Sequence, residues 1–193
     1  MPIHQHFLLH KPYKYLSQFI NNQTRRKNKN LLGELHDFPE GIMSIGRLDE
    51  DSEGLLLLTT DGLESQRVRS KKVEKEYYVQ VDGLMTEAAI EKLKRGLTIS
   101  IHGKEYKTLP CKASLLKNEP AFKPRTRKIR AAAHGPTSWA SITLTEGKFR
   151  QVRKMTAVVG YPTLRLVRIR IGEIRLGEME AGDVMEVSRF KLS

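Results

Sequence analysis

Apolar and polar residues alternate along several short stretches of this chain, the period of a half-buried strand. "KEYYVQVDG" from Lys75, "TSWASITLTEG" from Thr137 and "TLRLVRIRIGEIRLG" from Thr163 all read this way, and "GDVMEVS" near the C-terminus closes the series. "KTLPCKASLLKN" reads as a further strand, as does Phe7 to His10 ahead of a break at Pro12. Leu55 to Leu58 is different: four consecutive leucines bounded by Gly54 and by Asp61-Gly62 predict a short strand buried on both faces. Helical spacing is clearest in "TEAAIEKLKRG", with a threonine cap, an early glutamate, apolar Ala89, Ile90 and Leu93, and a terminal glycine. "KFRQVRKMTAVVG" is a second helix ended by Gly160, "LESQRVRS" a short one, and Leu31 to His36 one turn or two. Strands outnumber helices in mixed order, which predicts an α+β fold with a mostly antiparallel sheet and flanking helices. No internal repeat is visible, and 193 residues suffice for one domain of two joined lobes.

Charge changes this picture more than composition does. The chain carries 34 basic and 22 acidic side chains, a formal charge of +12 and a pI near 9.9. The excess is clustered in "NNQTRRKNKN" at 21–30, in the loop holding Lys123, Arg125, Arg127, Lys128 and Arg130, at Lys148, Arg150, Arg153 and Lys154, and at Arg165, Arg168 and Arg170. A run of charge is ordinarily a solvated face; separate clusters poor in acids favour a polyanion surface. No stretch approaches the roughly eighteen apolar residues of a membrane span. No secretion signal is visible, and one cysteine, Cys111, excludes a disulfide framework and a cysteine-based zinc site, so a cytoplasmic monomer is expected.

The candidate chemistry lies in "SIGRLDEDSEGLLLLTTDG". Asp49, Asp51, Glu53 and Gly54 begin like a calcium loop, but the closing bidentate carboxylate such a loop needs would fall on Thr60. The segment is therefore an acidic turn on a buried strand, either merely capped by Asp49 or presenting it. With no phosphate-binding glycine loop, no metal cluster and no Ser-His pair, NTP-driven work and metal-assisted RNA hydrolysis are disfavoured. What remains is chemistry that one carboxylate can perform on an extruded base.

"GRLDEDSEGLLLLT", Gly46 to Thr59, resembles the signature of pseudouridine synthases of the RsuA/RluB/RluE/RluF class. "LLHKPY" resembles the family's Lys-Pro motif at Lys11-Pro12, "KEYYVQVDG" its Lys-x-Tyr-x-Val segment through Lys75, Tyr77 and Val79, "TEGKFRQVRKM" its C-terminal basic motif, and "GYPTLRLVRIRIG" the stretch behind it. The motifs keep the family's order over nearly the whole chain, and among its types the RluE type is most similar, which lacks an N-terminal S4 RNA-binding domain. Phe149 stands where asparagine is frequent, and so does His10.

The resemblance implies a pseudouridine-synthase fold with a central catalytic cleft over residues 1–193 and no S4 domain. It implies isomerisation of a specific uridine, in large-subunit ribosomal RNA, without cofactor or metal. Asp49 would be the essential carboxylate, attacking C6 or C1′ or taking the 2′ proton, and ionised through a cation that offsets burial. Arg153 matches the residue that pairs with it, Arg47 the residue associated with base flipping, and Tyr77 the ring that stacks on the uracil and assists proton removal at C5. Val152 and Leu164 would line the uracil pocket. Arg47, Lys11, Lys75, Lys148, Arg150, Lys154, Arg168, Arg125 and Arg127 are the expected RNA contacts. Taken alone, Tyr77 reads as a core aromatic, Arg153 as a phosphate contact and Arg47 as a turn ion pair. The competing function is a non-catalytic ribosome-assembly factor of the same fold.

Overall fold

The computed structural model describes residues 4–20, 29–70, 73–125, 129 and 134–192. In chain order its elements are β1 (His6–Lys11), β2 (Tyr15–Leu16), β3 (Asn30–Leu31), β4 (Met43–Ile45), β5 (Glu53–Thr59), α1 (Gly62–Ser70) and β6 (Lys75–Asp82). They continue as α2 (Glu87–Arg95), β7 (Thr98–Ile101), β8 (Lys104–Lys107), β9 (Lys112–Leu115), β10 (Thr137–Leu144), α3 (Gln151–Val158), β11 (Thr163–Ile171), β12 (Ile174–Arg175) and β13 (Val184–Val187). Two compact units divide the chain: residues 1–73 with 168–193, and residues 74–167.

In the first unit β1 lies between β13 and β5, antiparallel to both, and β4 is antiparallel to β5. The register places Lys11 opposite Gly54 and Leu9 opposite Leu56. All seven residues of β5 are buried, because a strand covered on both faces has no side left for polar alternation. Leu56 and Leu58 join Phe7, Leu9 and Leu32 in a core packed against Phe19, Leu35, Phe38, Ile42 and Val184. Each such leucine contributes about 2 kcal/mol of burial relative to exposure. The expected helix at Leu31–His36 is only a 3₁₀ turn, Leu32–Glu34, whose Glu34 carboxylate accepts from the Leu31 amide. β2 and β3 form a small parallel pair.

In the second unit β10 is antiparallel to β6 and to β9. α2 is capped as its sequence demands: the Thr86 hydroxyl accepts from the Ala89 amide, Gly96 ends the helix at φ 81°, and Ala89, Ile90 and Leu93 form its buried face. The strand expected across 107–118 is confined to β9, and the chain before it belongs to a separate hairpin, β7–β8, turning at His102-Gly103. Cys111 lies before β9, donates to the Leu93 carbonyl at 3.2 Å, and has its thiol pushed up to about 11 by burial. The observed class is α+β with mostly antiparallel pairing.

Candidate active site and RNA-contact residues

The acidic turn is built from both sides. Leu48, buried, is gripped by Ser17, whose hydroxyl accepts from the Leu48 amide (2.9 Å) and donates to the Leu48 carbonyl (2.8 Å). One residue on, half-buried Asp49 closes the turn by accepting the Ser52 amide at its carbonyl, 3.0 Å. The Glu50 carbonyl accepts from the Lys14 amide at 2.8 Å, and Lys29 holds both Glu50 carboxylate oxygens at 2.6 Å. Gly54 ends the turn at φ 107°, where an added Cβ would stand 2.3 Å from the Arg168 carbonyl oxygen. Only a residue without Cβ permits that approach. Asp49 is thus carried by a segment with its backbone fixed at both ends. Arg47, two residues before it and next to Gly46 at φ 71°, is exposed.

Beneath this turn lies Lys11. The sequence assigned it to RNA, but the structure contradicts that: it is 0% exposed, and its ammonium donates to the carbonyls of Pro12 (2.8 Å) and Tyr15 (2.7 Å). Burial lowers its pKa from 10.5 to about 7, opposed by the charges of Glu53, Asp51, Asp49 and Glu50. Lys11 is therefore an internal side chain beside the acidic turn, held by backbone carbonyls. Arg168 also departs from its expected place among the RNA contacts. It is 4% exposed, and its Nε donates to the Leu55 carbonyl at 2.8 Å, because its position on β11 points it into the packed side of the unit. Arg170, two positions along, is half-exposed and donates to the Gly172 carbonyl at 2.8 Å.

The second unit carries the remaining candidates. Tyr77, 9% exposed, sits on β6 opposite Ile142 of β10. Val152 is buried in the first turn of α3, Arg153 follows it half-buried, and Leu164 is half-buried at the start of β11. Lys75 is half-buried at the start of β6. Lys148 and Arg150, read as helical from sequence, lie in the turn before α3, and Arg150 takes a left-handed conformation at φ 52° and ψ 32°. That turn is organised by a carboxylate the sequence did not single out. Glu146 accepts from the Tyr106 hydroxyl, from the Leu109 amide at 2.9 Å and from the Gln151 amide group at 2.7 Å. Gln151 in turn accepts from the Lys148 amide at 3.1 Å. The signal was present as a glutamate and a glutamine five residues apart within a basic motif, but nothing local identified their partners.

The basic loop after β9 is partly ordered by aromatic packing. Phe122 packs at a tilt against Trp139 and Tyr78 with centroids 5.8 and 6.2 Å apart, and the Arg165 guanidinium lies 5.4 Å over its ring. Arg165 also donates to the Lys123 carbonyl at 3.1 Å. Lys123 is exposed and Arg125 half-exposed; Arg127, named with them, lies outside the described residues, as does most of the 21–30 segment. Among the described residues no cluster of three His, Cys, Asp or Glu side chains is placed to hold a metal ion, and no helix is long and apolar enough to cross a membrane.

An α+β chain with a backbone-fixed acidic turn, a strand-borne tyrosine and a basic helix entry has the features of an RNA-modifying enzyme. Residues 5–158 match the RNA pseudouridylate synthase family, and the chain belongs to it. It is a pseudouridine synthase. A protein of Vibrio vulnificus named ribosomal large subunit pseudouridine synthase E is 40% identical over 185 residues, 94% of this chain and 74% of that protein. One of the same name from Xanthomonas axonopodis pv. citri is 40% identical over 168 residues, covering 86% of this chain and 85% of its own length. Bacillus subtilis ribosomal large subunit pseudouridine synthase B is 31% identical over 95% of the chain and 68% of that protein. A solved pseudouridylate synthase superposes with a TM-score of 0.76 at 26% identity, covering 97% of this chain and 71% of that one.

Proposed function

We propose that the chain isomerises a uridine of large-subunit ribosomal RNA, with Asp49 as the essential carboxylate. The observation that carries the substrate is the 40% identity, over 86% of the chain or more, to proteins named for the large ribosomal subunit. The reaction breaks the C1′–N1 bond, forms C1′–C5, leaves a proton on N1 and removes the C5 proton. Atoms balance without a cofactor, so the protein must supply a carboxylate, a positioned uracil and a route for that proton. Asp49 supplies the first from a turn whose backbone cannot drift. Tyr77 offers a rigid ring against uracil and a phenol for the C5 proton, and Arg153 is the cation assigned to the Asp49 carboxylate. Arg47, exposed beside Asp49 in the chain, occupies the place vacated when the base leaves the stack, and Val152 with Leu164 gives the uracil an apolar wall.

Phosphate contacts fall to Lys75, Arg125, Arg127, Lys148, Arg150 and Lys154. The test is tritium release from unmodified large-subunit ribosomal RNA carrying 5-tritiated uridine. Wild type should release tritium; Asp49→Ala should release none yet bind the RNA within a few-fold, since one carboxylate contributes little to phosphate-driven affinity. Full activity in Asp49→Ala would remove Asp49 from the centre of the reaction. Silence from wild type on RNA it binds would favour a binding role.

A further inference from the structure

The turn before α3 does more than carry lysines. Phe149 is 52% exposed although it is among the larger apolar side chains, and its ring is stacked on His102 with centroids 5.1 Å apart and planes 20° from parallel. His102 is itself exposed, at the tip of the β7–β8 hairpin. The lysine ammonium of residue 154 lies 5.2 Å over the Phe149 ring and donates to the Ser100 carbonyl at 2.6 Å, tying the start of α3 to β7. Lys148 lies 4.8 Å over the ring of Tyr106 on β8.

The turns that carry these side chains use left-handed backbone, His102 as the first residue of the two-residue β7–β8 hairpin turn. Three non-glycine residues have positive φ among those described, and two of them frame the ring pair: His102 at 50° and Arg150 at 52°. Each costs about 1 kcal/mol. A phenylalanine kept for stability would be drawn inward, and a turn at this point could be made by any polar residue. Here an aromatic pair is held outward by a carbonyl-anchored lysine and bordered by cations.

We infer that the Phe149–His102 pair is a stacking platform for an unpaired RNA nucleotide, with Lys148 and Lys154 taking the adjoining phosphates. This rests on RNA being the substrate and adds the element of RNA structure the enzyme engages outside its reaction centre. Aromatic stacking accepts any base through its π-face, and flanking ammonium groups track the backbone. A fully paired duplex offers no free base to such a pair.

The experiment measures the affinity of wild type, Phe149→Ala and Phe149→Trp by fluorescence anisotropy. One labelled RNA is a hairpin with an unpaired loop; the other is a duplex of equal length without unpaired nucleotides. Phe149→Ala should weaken hairpin binding about tenfold, leave duplex binding unaltered and keep the salt slope, because stacking releases no counterions. Phe149→Trp should restore hairpin binding. Unchanged hairpin affinity in Phe149→Ala, or equal loss on hairpin and duplex, would overturn the inference. Tritium release by the wild type is scored separately, so failure here is distinguishable from failure of the substrate assignment.

Discussion

At the scale of single residues, two basic side chains that a linear reading assigns to RNA turn out to be internal. Nothing in "LLHKPY" or "RLVRIR" distinguishes a lysine facing water from one facing carbonyls, because burial of a charge depends on partners distant in sequence. Lys11 carries a testable consequence. Its folded pKa is about 7 against an ordinary 10.5, so between these values the unfolded chain binds more protons than the folded one. Stability therefore rises with pH across that window; the cost is full below about 7 and gone above 10.5. A neutral amine still has two N–H donors for Pro12 and Tyr15, so the contacts survive deprotonation. The melting temperature of wild type relative to Lys11→Met should rise by about 5 °C between pH 7 and pH 9. A flat difference would show that Lys11 titrates normally. Gly54→Ala is the companion case: with the Arg168 carbonyl 2.3 Å from the new Cβ, it should cost about 3 kcal/mol in urea unfolding.

At the scale of elements, the leucine run, α2 with its threonine and glycine ends, and the alternating strands were legible because each is decided by local periodicity and capping. The β7–β8 hairpin was not, since its turn is His-Gly rather than Asn-Gly, and "TISIHGKEYK" alternates too weakly to announce two strands. The start of α3 was also placed too early. "KFRQVRKM" has helical spacing, but Glu146 captures Gln151 and the Leu109 amide, and this holds the preceding residues in a turn. Of the candidate site, Asp49, Tyr77 and Arg153 were visible through motif order, whereas the Ser17 grip on Leu48 and the Glu146 hub depend on contacts made across the chain. Removing the hub should free the turn. Glu146→Ala should lower stability by about 1–3 kcal/mol, since the buried Gln151 loses a partner, and should raise hydrogen exchange at the Leu109 amide. Unchanged exchange there would show that Glu146 does not hold the segment.

At the scale of the whole molecule, the net charge of +12 governs association more than any one contact does. The basic side chains do not contribute alike, because the backbone that carries them is held in place to different degrees. Lys123 and Arg125 follow Phe122, which is held by Trp139 and Arg165, so their backbone is presented in a fixed place, and less ordering entropy is lost on binding. Their removal tests whether this loop is an RNA surface. Each phosphate contact released changes the slope of log affinity against log salt by about 0.9 on duplex and about 0.7 on single strands. Lys123→Ala with Arg125→Ala should therefore flatten the slope by about 1.4 to 1.8 and weaken binding most at low salt. The effect should be nearly equal across RNA sequences, since phosphate contacts carry no base information. Phe122→Ala should weaken binding while leaving the slope in place, because the cations remain and only their preorganisation is lost. A double charge variant with an unaltered slope would place RNA elsewhere, on Lys148, Arg150 and Lys154, and would leave Phe122 a purely structural anchor.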